Sequence, residues 1–394
     1  MSGYFLPLVL ILLVIAALMR EDFVFILLYL IAGAFAFGRW WSRKALQALE
    51  IERRYPDRVF LGEEVVVELE LANSGLLPVV WLRLHESLPV EMAVPSFFRS
   101  VVSLGPRERV QLYYPLKARK RGYYPIGPLN LQSGDLLGMA EQHKFEWGPD
   151  FLTVYPRIVP LVNVNLPSHS PMGTLHHHEP VFEDPTRVMG KRDYVAGDPL
   201  RRVDWKASAA TGRLQVKQFE PSISLETSIF LNLNAAEYDQ RTRYQATELA
   251  IVVAASIAAW VESKKQSVGL VTNGSDPLAQ DDQPHALPPR KGRGNLMRIL
   301  DMLARIQMAE TVPLAQVMRQ WSSHLSWGTT IVLITSQVDE TLFDELFQAR
   351  RSGLDIMLVL CGKVSRFQEI QRKAAHFGFP VRQVLYEEDL NFWH

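Results

Sequence analysis

The sequence predicts a multidomain protein: an N-terminal transmembrane helical hairpin, an all-β sandwich-like domain and a C-terminal α/β doubly wound domain of the Rossmann type. Three changes of pattern along the 394 residues carry this prediction. Apolar runs precede residue 45, apolar and polar residues alternate between residues 59 and 147, and apolar strands alternate with amphipathic helices from residue 225. The predicted boundaries are 1–45 for the hairpin, 46–155 for the β domain, 156–224 for a linker with a charged block, and 225–394 for the α/β domain.

Two apolar runs, Tyr4–Met19 and Phe23–Phe37, form the predicted hairpin. A membrane-spanning helix needs about 17–25 residues, and each run reaches that length only with its flanking residues, which include the interfacial pair Trp40 and Trp41. A signal peptide is the alternative interpretation of the first run, although the sequence lacks the basic n-region and the A-x-A-like site of such peptides. We therefore expect a multi-pass protein of the plasma membrane.

Charge around the hairpin predicts its orientation. Arg39, Arg43 and Lys44 directly follow the second run, whereas the connection at 20–22 has a net charge of −1. Positive residues flank membrane helices on the cytoplasmic side. Both chain ends and everything after residue 44 are therefore predicted to lie in the cytoplasm.

The next two segments differ in the period of their apolar residues. From Val59 to Trp147 the period is two, with Pro, Gly and Asn between the runs, which is typical of an antiparallel sandwich or barrel. From Leu225 onward, continuous apolar strands and amphipathic helices alternate, which predicts a mostly parallel sheet covered by helices. The predicted strands are Leu225–Asn234, Gln266–Asn273, Thr329–Thr335, Asp355–Cys361 and Val381–Tyr386, and the predicted helices are Thr242–Ser263, Asn295–Ile306, Leu314–Leu325, Thr341–Ser352 and Arg366–Phe377.

The block Arg187–Glu220 has an unusual density of charge beside turn residues. Eight side chains are basic and four are acidic, so its net charge is +4 (8 − 4). The pattern predicts a strand, a turn, a short helix starting at Asp198 and Pro199, a C-terminal cap at Gly212, and a second strand. Leu200, Val203, Ala207 and Ala210 are expected to form an apolar stripe on that helix. Three interpretations remain open: a structural ion-pair lattice, a docking or anion-binding surface, and a catalytic site.

This block resembles the signature of the bacterial domain-of-unknown-function 58 family, in which Tyr-x-x-Gly-Asp-x-x-Arg-x-Ile-Asp-Trp-Lys precedes a von Willebrand factor A-like domain. The resemblance extends to Arg121–Pro128, and Ala210 departs from it where the family usually has arginine. The family resemblance implies a MoxR-type AAA+ ATPase as partner, in the maturation or assembly of other proteins. The predicted signature or interaction residues are Asp193, Tyr194, Gly197, Asp198, Arg201, Arg202, Asp204, Trp205, Lys206 and Lys217.

A von Willebrand A-like domain normally binds Mg²⁺ through an Asp-x-Ser-x-Ser loop after its first strand and a later aspartate. Here the loop positions are Asn232, Asn234 and Ala236, and Ser336 occupies the position expected to be acidic. Mg²⁺ needs hard, anionic oxygen ligands. The resemblance therefore implies a degenerate metal-ion-dependent adhesion site, and we expect no metal and no other cofactor.

The remaining sequence features indicate a binding protein and not an enzyme. Lys plus Arg and Asp plus Glu both total 42, so no basic surplus points to nucleic acid, and the single Cys361 excludes an internal disulfide. No nucleotide-binding, serine-hydrolase or zinc-protease motif is present. Nearby arginines are expected to lower the pKa of Asp198 and Asp204, which suits ion pairs and not general acids. We predict a membrane-anchored adaptor or scaffold. An envelope-facing ligand-binding module and, more remotely, a divergent hydrolase are the alternatives.

Overall fold

The structure is a computed structural model that describes residues 22–133, 143–161, 183–195, 198–221, 226–279 and 283–392, together with positions 11, 14 and 167. The chain forms two compact units, the first made of residues 1–157 with 301–305 and the second of residues 158–300 with 306–394. This division groups the N-terminal helix with the β segment. It also groups the charged block with the α/β segment.

The first unit begins with an apolar helix, α1 (Asp22–Gln47). Two described helices are long and apolar enough to cross a bilayer, Phe25–Gln47 within α1 and Arg243–Ser263, both with a mean hydropathy of 1.4. The second of these is 72% buried and belongs to a protein core, whereas α1 is only 11% buried. Membrane-spanning helices, core helices and signal sequences all share this length and composition, so these two properties do not distinguish them. The first predicted run, Tyr4–Met19, lies outside the described residues apart from positions 11 and 14.

Ten short strands follow in the described part of the first unit and form three small sheets. The sheets have the orders β1-β3-β6, β2-β10-β7 and β5-β4-β8-β9, and all of their pairings are antiparallel except β2 with β10. Buried and exposed residues alternate along β3 and β6, as the period-two pattern predicts. The strands are β1 (Leu49–Arg54), β2 (Arg58–Phe60), β3 (Glu64–Asn73), β4 (Val79–Ser87), β5 (Phe97–Leu104), β6 (Arg109–Lys117), β7 (Gly122–Ile126), β8 (Leu129–Ser133), β9 (His143–Trp147) and β10 (Asp150–Tyr155).

A buried ion pair lies inside this β region. The Arg53 guanidinium is 2.6 Å from the Glu86 carboxylate, and the side chains of both are almost fully buried. The Tyr114 hydroxyl donates to the other Glu86 oxygen at 2.6 Å, and Asp150 also contacts Arg53. Burial and the neighbouring Glu86 carboxylate raise the pKa of Tyr114, so its hydroxyl stays protonated and keeps donating.

The charged block forms an antiparallel ribbon in the second unit. Strand β11 (Glu183–Asp193) pairs with β12 (Gln215–Pro221), and a short helix, α2 (Trp205–Thr211), lies between them. The predicted order of strand, turn, helix and strand is therefore present. Strand β11 begins at Glu183, within the segment 156–224 that the sequence assigns to a linker with the charged block.

The α/β segment contains one six-stranded sheet with the order β15-β14-β13-β16-β17-β18. All neighbouring pairs are parallel except β14 with β15, which is antiparallel. Chain order reverses between β13 and β16, so this is the switch point at which ligands of open α/β sheets bind. The strands are β13 (Glu226–Leu231), β14 (Ser267–Thr272), β15 (His285–Arg290), β16 (Thr330–Thr335), β17 (Asp355–Cys361) and β18 (Val381–Val384).

Helices cover the central strands, which are buried along their whole length. Three helices share one core with alternate residues of β16 and β17, such as Ile331 and Leu333, while the intervening Val332 and Ile334 are equally buried and face the other side. Helix α3 packs along β13, β14, β16 and β17. The helices are α3 (Arg243–Ser263), α4 (Arg293–Arg305), α5 (Leu314–Ser322), α6 (Glu340–Arg351) and α7 (Phe367–Phe377). The three that share the core with Ile331 and Leu333 are α5, α6 and α7.

One strand and several element ends differ from the sequence prediction. Strand β15 is absent from the prediction because its Pro288 and Pro289 argue against a strand. It is tolerated as the antiparallel edge of the sheet, where proline costs no inner ladder bond. Gly269 on β14 leaves the necessary room, since a Cβ there would lie 2.8 Å from the Leu287 carbonyl. Helix α5 ends at Ser322, three residues before the predicted Leu325.

Candidate functional site: an exposed ribbon and a closed sheet edge

The short helix of the ribbon begins at Asp204 and not at Asp198. The Asp204 carboxylate accepts from the Ala207 amide at 3.2 Å and so caps α2, whereas Asp198 precedes a short 3-10 turn that has no side-chain cap. Gly212 ends the helix in the left-handed conformation with φ 70°, as predicted. The sequence prediction was wrong because both aspartates suit a helix start, and only the second has three free amides ahead of it in helical geometry.

The two aspartates are each held by a basic side chain of β11. Asp198 receives two bonds of 2.7 Å from the Arg192 guanidinium and one of 3.0 Å from the Val195 amide. Asp204 is 2.9 Å from the Lys191 ammonium. Hydrogen bonding to Arg192 lowers the pKa of Asp198, and hydrogen bonding to Lys191 lowers that of Asp204. The direction agrees with the sequence prediction, but its main cause lies in β11 and not in Arg201 or Arg202.

The same turn and helix expose apolar side chains. Trp205 is 66% exposed, Leu200 64% and Val195 62%, and the basic Arg201 and Lys206 beside them are also exposed. We call these five residues the exposed ribbon surface. The predicted apolar stripe is therefore wrong for Leu200 and Ala210, which face solvent. Val203 alone of the four is fully buried, where it bridges to Val216 of β12.

The other predicted signature residues are distributed around this surface. Asp193 contacts the side chains of Gln215 and Arg213, and the Tyr194 amide donates to the Leu214 carbonyl at 2.9 Å. Arg202 and Lys217 are half-buried. Gly197 lies outside the described residues. The ribbon thus brings the three signature aspartates into ion pairs with basic residues outside the signature set and leaves Trp205 exposed.

The predicted metal position lies at the carboxyl end of β13, beside β16. Asn232 is fully buried there, and its amide nitrogen donates to Glu237 at 2.7 Å and to the Thr335 hydroxyl at 2.9 Å. Its carbonyl oxygen accepts from the Asn234 amide and from the Asn273 side chain, both at 3.0 Å. Every polar atom of the Asn232 side chain is therefore satisfied by the protein itself. We call these five residues the sheet-edge network.

Sequence reasoning missed Thr335 and Asn273 of this network and also its one acidic member, Glu237. Its carboxylate accepts from Asn232 and from the Leu314 amide at the start of α5, at 3.2 Å. Burial raises the pKa of Glu237, and its hydrogen bonds partly oppose that shift. The available sequence signal was an acidic residue five positions after the first loop asparagine, in a place that the family pattern does not mark.

The residues at this edge do not fit a Mg²⁺ ion. The amide of Asn232 presents donors to Glu237 and Thr335, and Asn234 uses its oxygen for the Ala236 amide. Ala236 has no side-chain ligand, and Asp339 caps α6 through the Leu342 amide at 2.8 Å. Ser336 is buried and carries no charge. Within the described part of the chain, no three His, Cys, Asp or Glu residues are grouped as a metal site.

Comparisons with known proteins agree with the signature. Residues 190–360 match the model of the family described as "Protein of unknown function DUF58". The matched residues include positions 190–220 of the signature block. The chain is also 26% identical over 243 residues to a protein of Bacillus subtilis (strain 168) described as "Uncharacterized protein YeaD". The aligned region covers 56% of this chain and 56% of that protein.

Two solved structures resemble this chain over part of its length. One is a von Willebrand factor type A protein from Catenulispora acidiphila, with 10% identity and a TM-score of 0.32, covering 43% of this chain and 41% of that one. The other is proximal thread matrix protein 1 from the mussel byssus, with 9% identity and a TM-score of 0.32, covering 43% and 45%.

Proposed function

We propose that this DUF58 protein is a membrane-anchored adaptor that binds other proteins through the exposed ribbon surface. The observation that carries the proposal is Trp205, which stays 66% exposed between the basic residues Arg201 and Lys206. An exposed tryptophan does not contribute the stabilising free energy that burial of its large apolar ring would give. Tryptophan and arginine are also the residues on which protein–protein affinity most often depends.

The ion pairs beneath this surface support a binding role. Arg192 with Asp198 and Lys191 with Asp204 tie the turn and the helix start to β11. A surface that is already ordered loses less conformational entropy when a partner binds. Structural ion pairs and a docking surface are therefore not competing interpretations of the signature: the pairs hold the backbone from which Trp205 projects.

The closed sheet edge supports a protein that binds other proteins without a metal ion and without catalysing a reaction. Von Willebrand A-like domains that use a metal leave an open coordination position, whereas the Asn232 side chain is fully engaged by its neighbours. Asp198 and Asp204 have lowered pKa values, so neither is a general acid near neutral pH. We propose a protein that is not an enzyme, needs no cofactor and has no nucleic-acid partner.

The membrane anchor is the apolar part of α1, and the partner we propose is a MoxR-type AAA+ ATPase acting in maturation or assembly of other proteins. Phe23, Ile26, Tyr29 and Leu30 are all exposed on α1, so a bilayer would cover a surface that the described protein leaves open. The basic residues after the apolar run favour a cytoplasmic position for both units. A reporter enzyme fused after His394 tests this orientation: activity inside the cell agrees with it, and activity outside favours an envelope-facing module.

Binding tests the adaptor role directly. Full-length protein in detergent is titrated with the purified ATPase encoded in the same organism, and Trp205→Ala is compared with Trp327→Ala. The two tryptophans are equally exposed, at 66% and 67%. We expect Trp205→Ala to weaken binding by tenfold or more, about the loss of one hot-spot side chain, and Trp327→Ala to leave it unchanged. Equal effects of the two variants would refute the ribbon as the binding surface, and no binding by the unmodified protein would refute the ATPase partner.

A further inference from the structure

Helix α1 enters the first unit without a linker. It runs unbroken from its apolar segment to Gln47, and β1 begins at Leu49. Ser42 and Ala45 near its end are buried, and Trp41 packs against the core of the β region. Packing therefore fixes where this core lies along the helix axis. A residue's depth in a bilayer can be inferred from its level on α1.

The loop of residues 74–78, between β3 and β4, lies against the last two turns of α1. The Ser74 amide donates to the Ala48 carbonyl at 2.9 Å, and the Trp41 indole donates to the Pro78 carbonyl at 3.1 Å. Trp41 and Ala48 are about 10 Å apart along the axis at about 1.5 Å per residue. The loop thus follows the helix towards its apolar segment, and Leu76 at its centre is 72% exposed.

A second turn, residues 105–108, is fastened to this loop. The Arg107 amide donates to the Gly75 carbonyl at 3.2 Å, and the Asn73 side chain donates to the carbonyls of Leu77 and Gly105, both at 2.9 Å. Arg107 is exposed. The acidic neighbour in the same turn, Glu108, accepts from the Gly105 amide at 2.5 Å and so has a partner within the turn.

The level of Trp41 corresponds to the headgroup layer of a bilayer that holds α1. The apolar run ends at Phe37, one turn or about 6 Å before Trp41. The headgroup layer is about 5–7 Å thick on each side, because a bilayer of about 40–45 Å has a hydrocarbon core of about 30 Å. The end of the loop next to Trp41 therefore lies at the level of the lipid headgroups. Leu76, halfway along the loop, lies about 5 Å further from the hydrocarbon core, on the water side of the headgroups, and the Ser74 end lies beyond them.

We propose that Leu76, Arg107 and the exposed basic residues of α1 form one lipid-contact surface for anionic phospholipid headgroups; this rests on the proposed membrane anchoring of α1. Arg39, Arg43 and Lys44 are exposed on the helix within about 5 Å of the level of Trp41. Basic side chains near a bilayer are attracted to anionic lipids, and an apolar side chain among them lies in the interface. The surface fixes the tilt of the first unit on the membrane, in addition to its depth.

Single-cysteine labelling tests the surface on the full chain. The native Cys361 is fully buried, and burial raises the pKa of its thiol, so it reacts poorly with a thiol-reactive dye. Leu76→Cys is compared with Leu30→Cys on the apolar part of α1 and with Val90→Cys. Val90 is 65% exposed in the turn at the other end of β4, about 30 Å away at about 3.3 Å per residue. Each labelled protein is placed in vesicles containing phosphatidylglycerol and a headgroup-linked or acyl-chain-linked quencher.

We expect the headgroup-linked quencher to reduce the emission of the label at position 76 by about twofold, as for groups at the aromatic belt, and to leave position 90 unchanged. Position 30 should respond to the acyl-chain quencher. If position 30 responds while position 76 behaves like position 90, the lipid-contact surface is refuted and the anchor stands. If position 30 does not respond, the anchor itself is refuted.

A charge reversal tests the lipid class. Arg107→Glu is introduced beside the label at position 76, and Arg119→Glu serves as the control because that exposed arginine lies beyond the opposite end of β6. We expect Arg107→Glu to reduce quenching in phosphatidylglycerol vesicles and not in phosphatidylcholine vesicles, while Arg119→Glu changes neither. If the protein labelled at position 76 with Arg107 unchanged is quenched equally in both lipids, the preference for anionic headgroups is refuted.

Discussion

The exposed ribbon surface and the sheet-edge network place polar side chains in opposite surroundings. In the ribbon, Asp198 and Arg192 form a bidentate pair near solvent. At the sheet edge, Asn232 is fully buried among neutral partners and the single carboxyl of Glu237. The ribbon thus keeps its charges where water screens them. The sheet edge holds one carboxyl, that of Glu237, among hydrogen-bonded neutral side chains.

This difference teaches how a fold can keep its architecture and change the chemistry of its edge. Two carboxylates close together in a buried site repel each other unless a cation or a proton joins them. An amide in place of one carboxylate removes the repulsion and supplies a donor for the other. Asn232 donates to Glu237 at 2.7 Å, so hydrogen bonds hold this edge together.

The largest effect should come from restoring a carboxylate at the sheet edge. Asn232→Asp replaces the donor that serves Glu237 and Thr335 by an acceptor, at a position with no exposure. We expect the free energy of unfolding at pH 7 to fall by about 3 kcal/mol, as for a buried group left with an uncompensated charge. Urea unfolding of the full chain in detergent measures it. A variant as stable as the unmodified protein would contradict the closed network.

The pH dependence of stability sharpens the same contrast. The folded-state pKa of Glu237 is raised above its ordinary value of 4.5 by burial, so the folded protein binds a proton more readily than the unfolded chain. The stabilising contribution of that proton is complete below the ordinary value and is lost as pH rises through the folded-state pKa. We therefore expect the unmodified protein to lose stability relative to Glu237→Gln as pH increases from 4 towards neutrality. A difference that is independent of pH would contradict the raised pKa.

Much of this fold can be predicted from the sequence, because the spacing of apolar residues differs between segments. The predicted and observed limits of the buried strand Asp355–Cys361 coincide, because a glycine lies within two residues of each end. Strand β15 could not be predicted, since its prolines are compatible with a strand only at a sheet edge, and edge position is a property of the assembled sheet. The four predicted domain boundaries remain predictions, as does the position of both units in the cytoplasm.

The candidate site shows a sharper limit. The signature residues identify the ribbon, but the sequence does not say that Arg192 and Lys191 of β11 are the partners of Asp198 and Asp204, because that pairing depends on the register of the ribbon. Glu237 could not be predicted for a similar reason. Its neighbours Asn232 and Leu314 are far apart along the chain and meet only once α5 packs against the sheet.

Removing a charge from the ribbon should have a local effect only. Asp198→Asn loses the pairing with Arg192 but keeps an oxygen for the Val195 amide. We expect unchanged global unfolding and faster hydrogen exchange at Val195, because the turn is less firmly held. Exchange followed by mass spectrometry measures it. Asp193→Asn is the control, since that carboxylate contacts the side chains of Gln215 and Arg213. A global loss as large as that of Asn232→Asp would remove the distinction between the two regions.

Added magnesium should have the smallest effect of all. An ion that binds only the folded state stabilises it by about 2.7 kcal/mol when its concentration is a hundred times the dissociation constant. A site with a dissociation constant of about 50 µM would therefore raise the unfolding free energy by that amount in about 5 mM Mg²⁺. We expect no such rise, because the oxygen of Asn232 already accepts two hydrogen bonds and its nitrogen faces Glu237 and Thr335. A rise that Asn232→Ala abolishes would place an ion at the sheet edge after all, and the edge would then have to open to admit it.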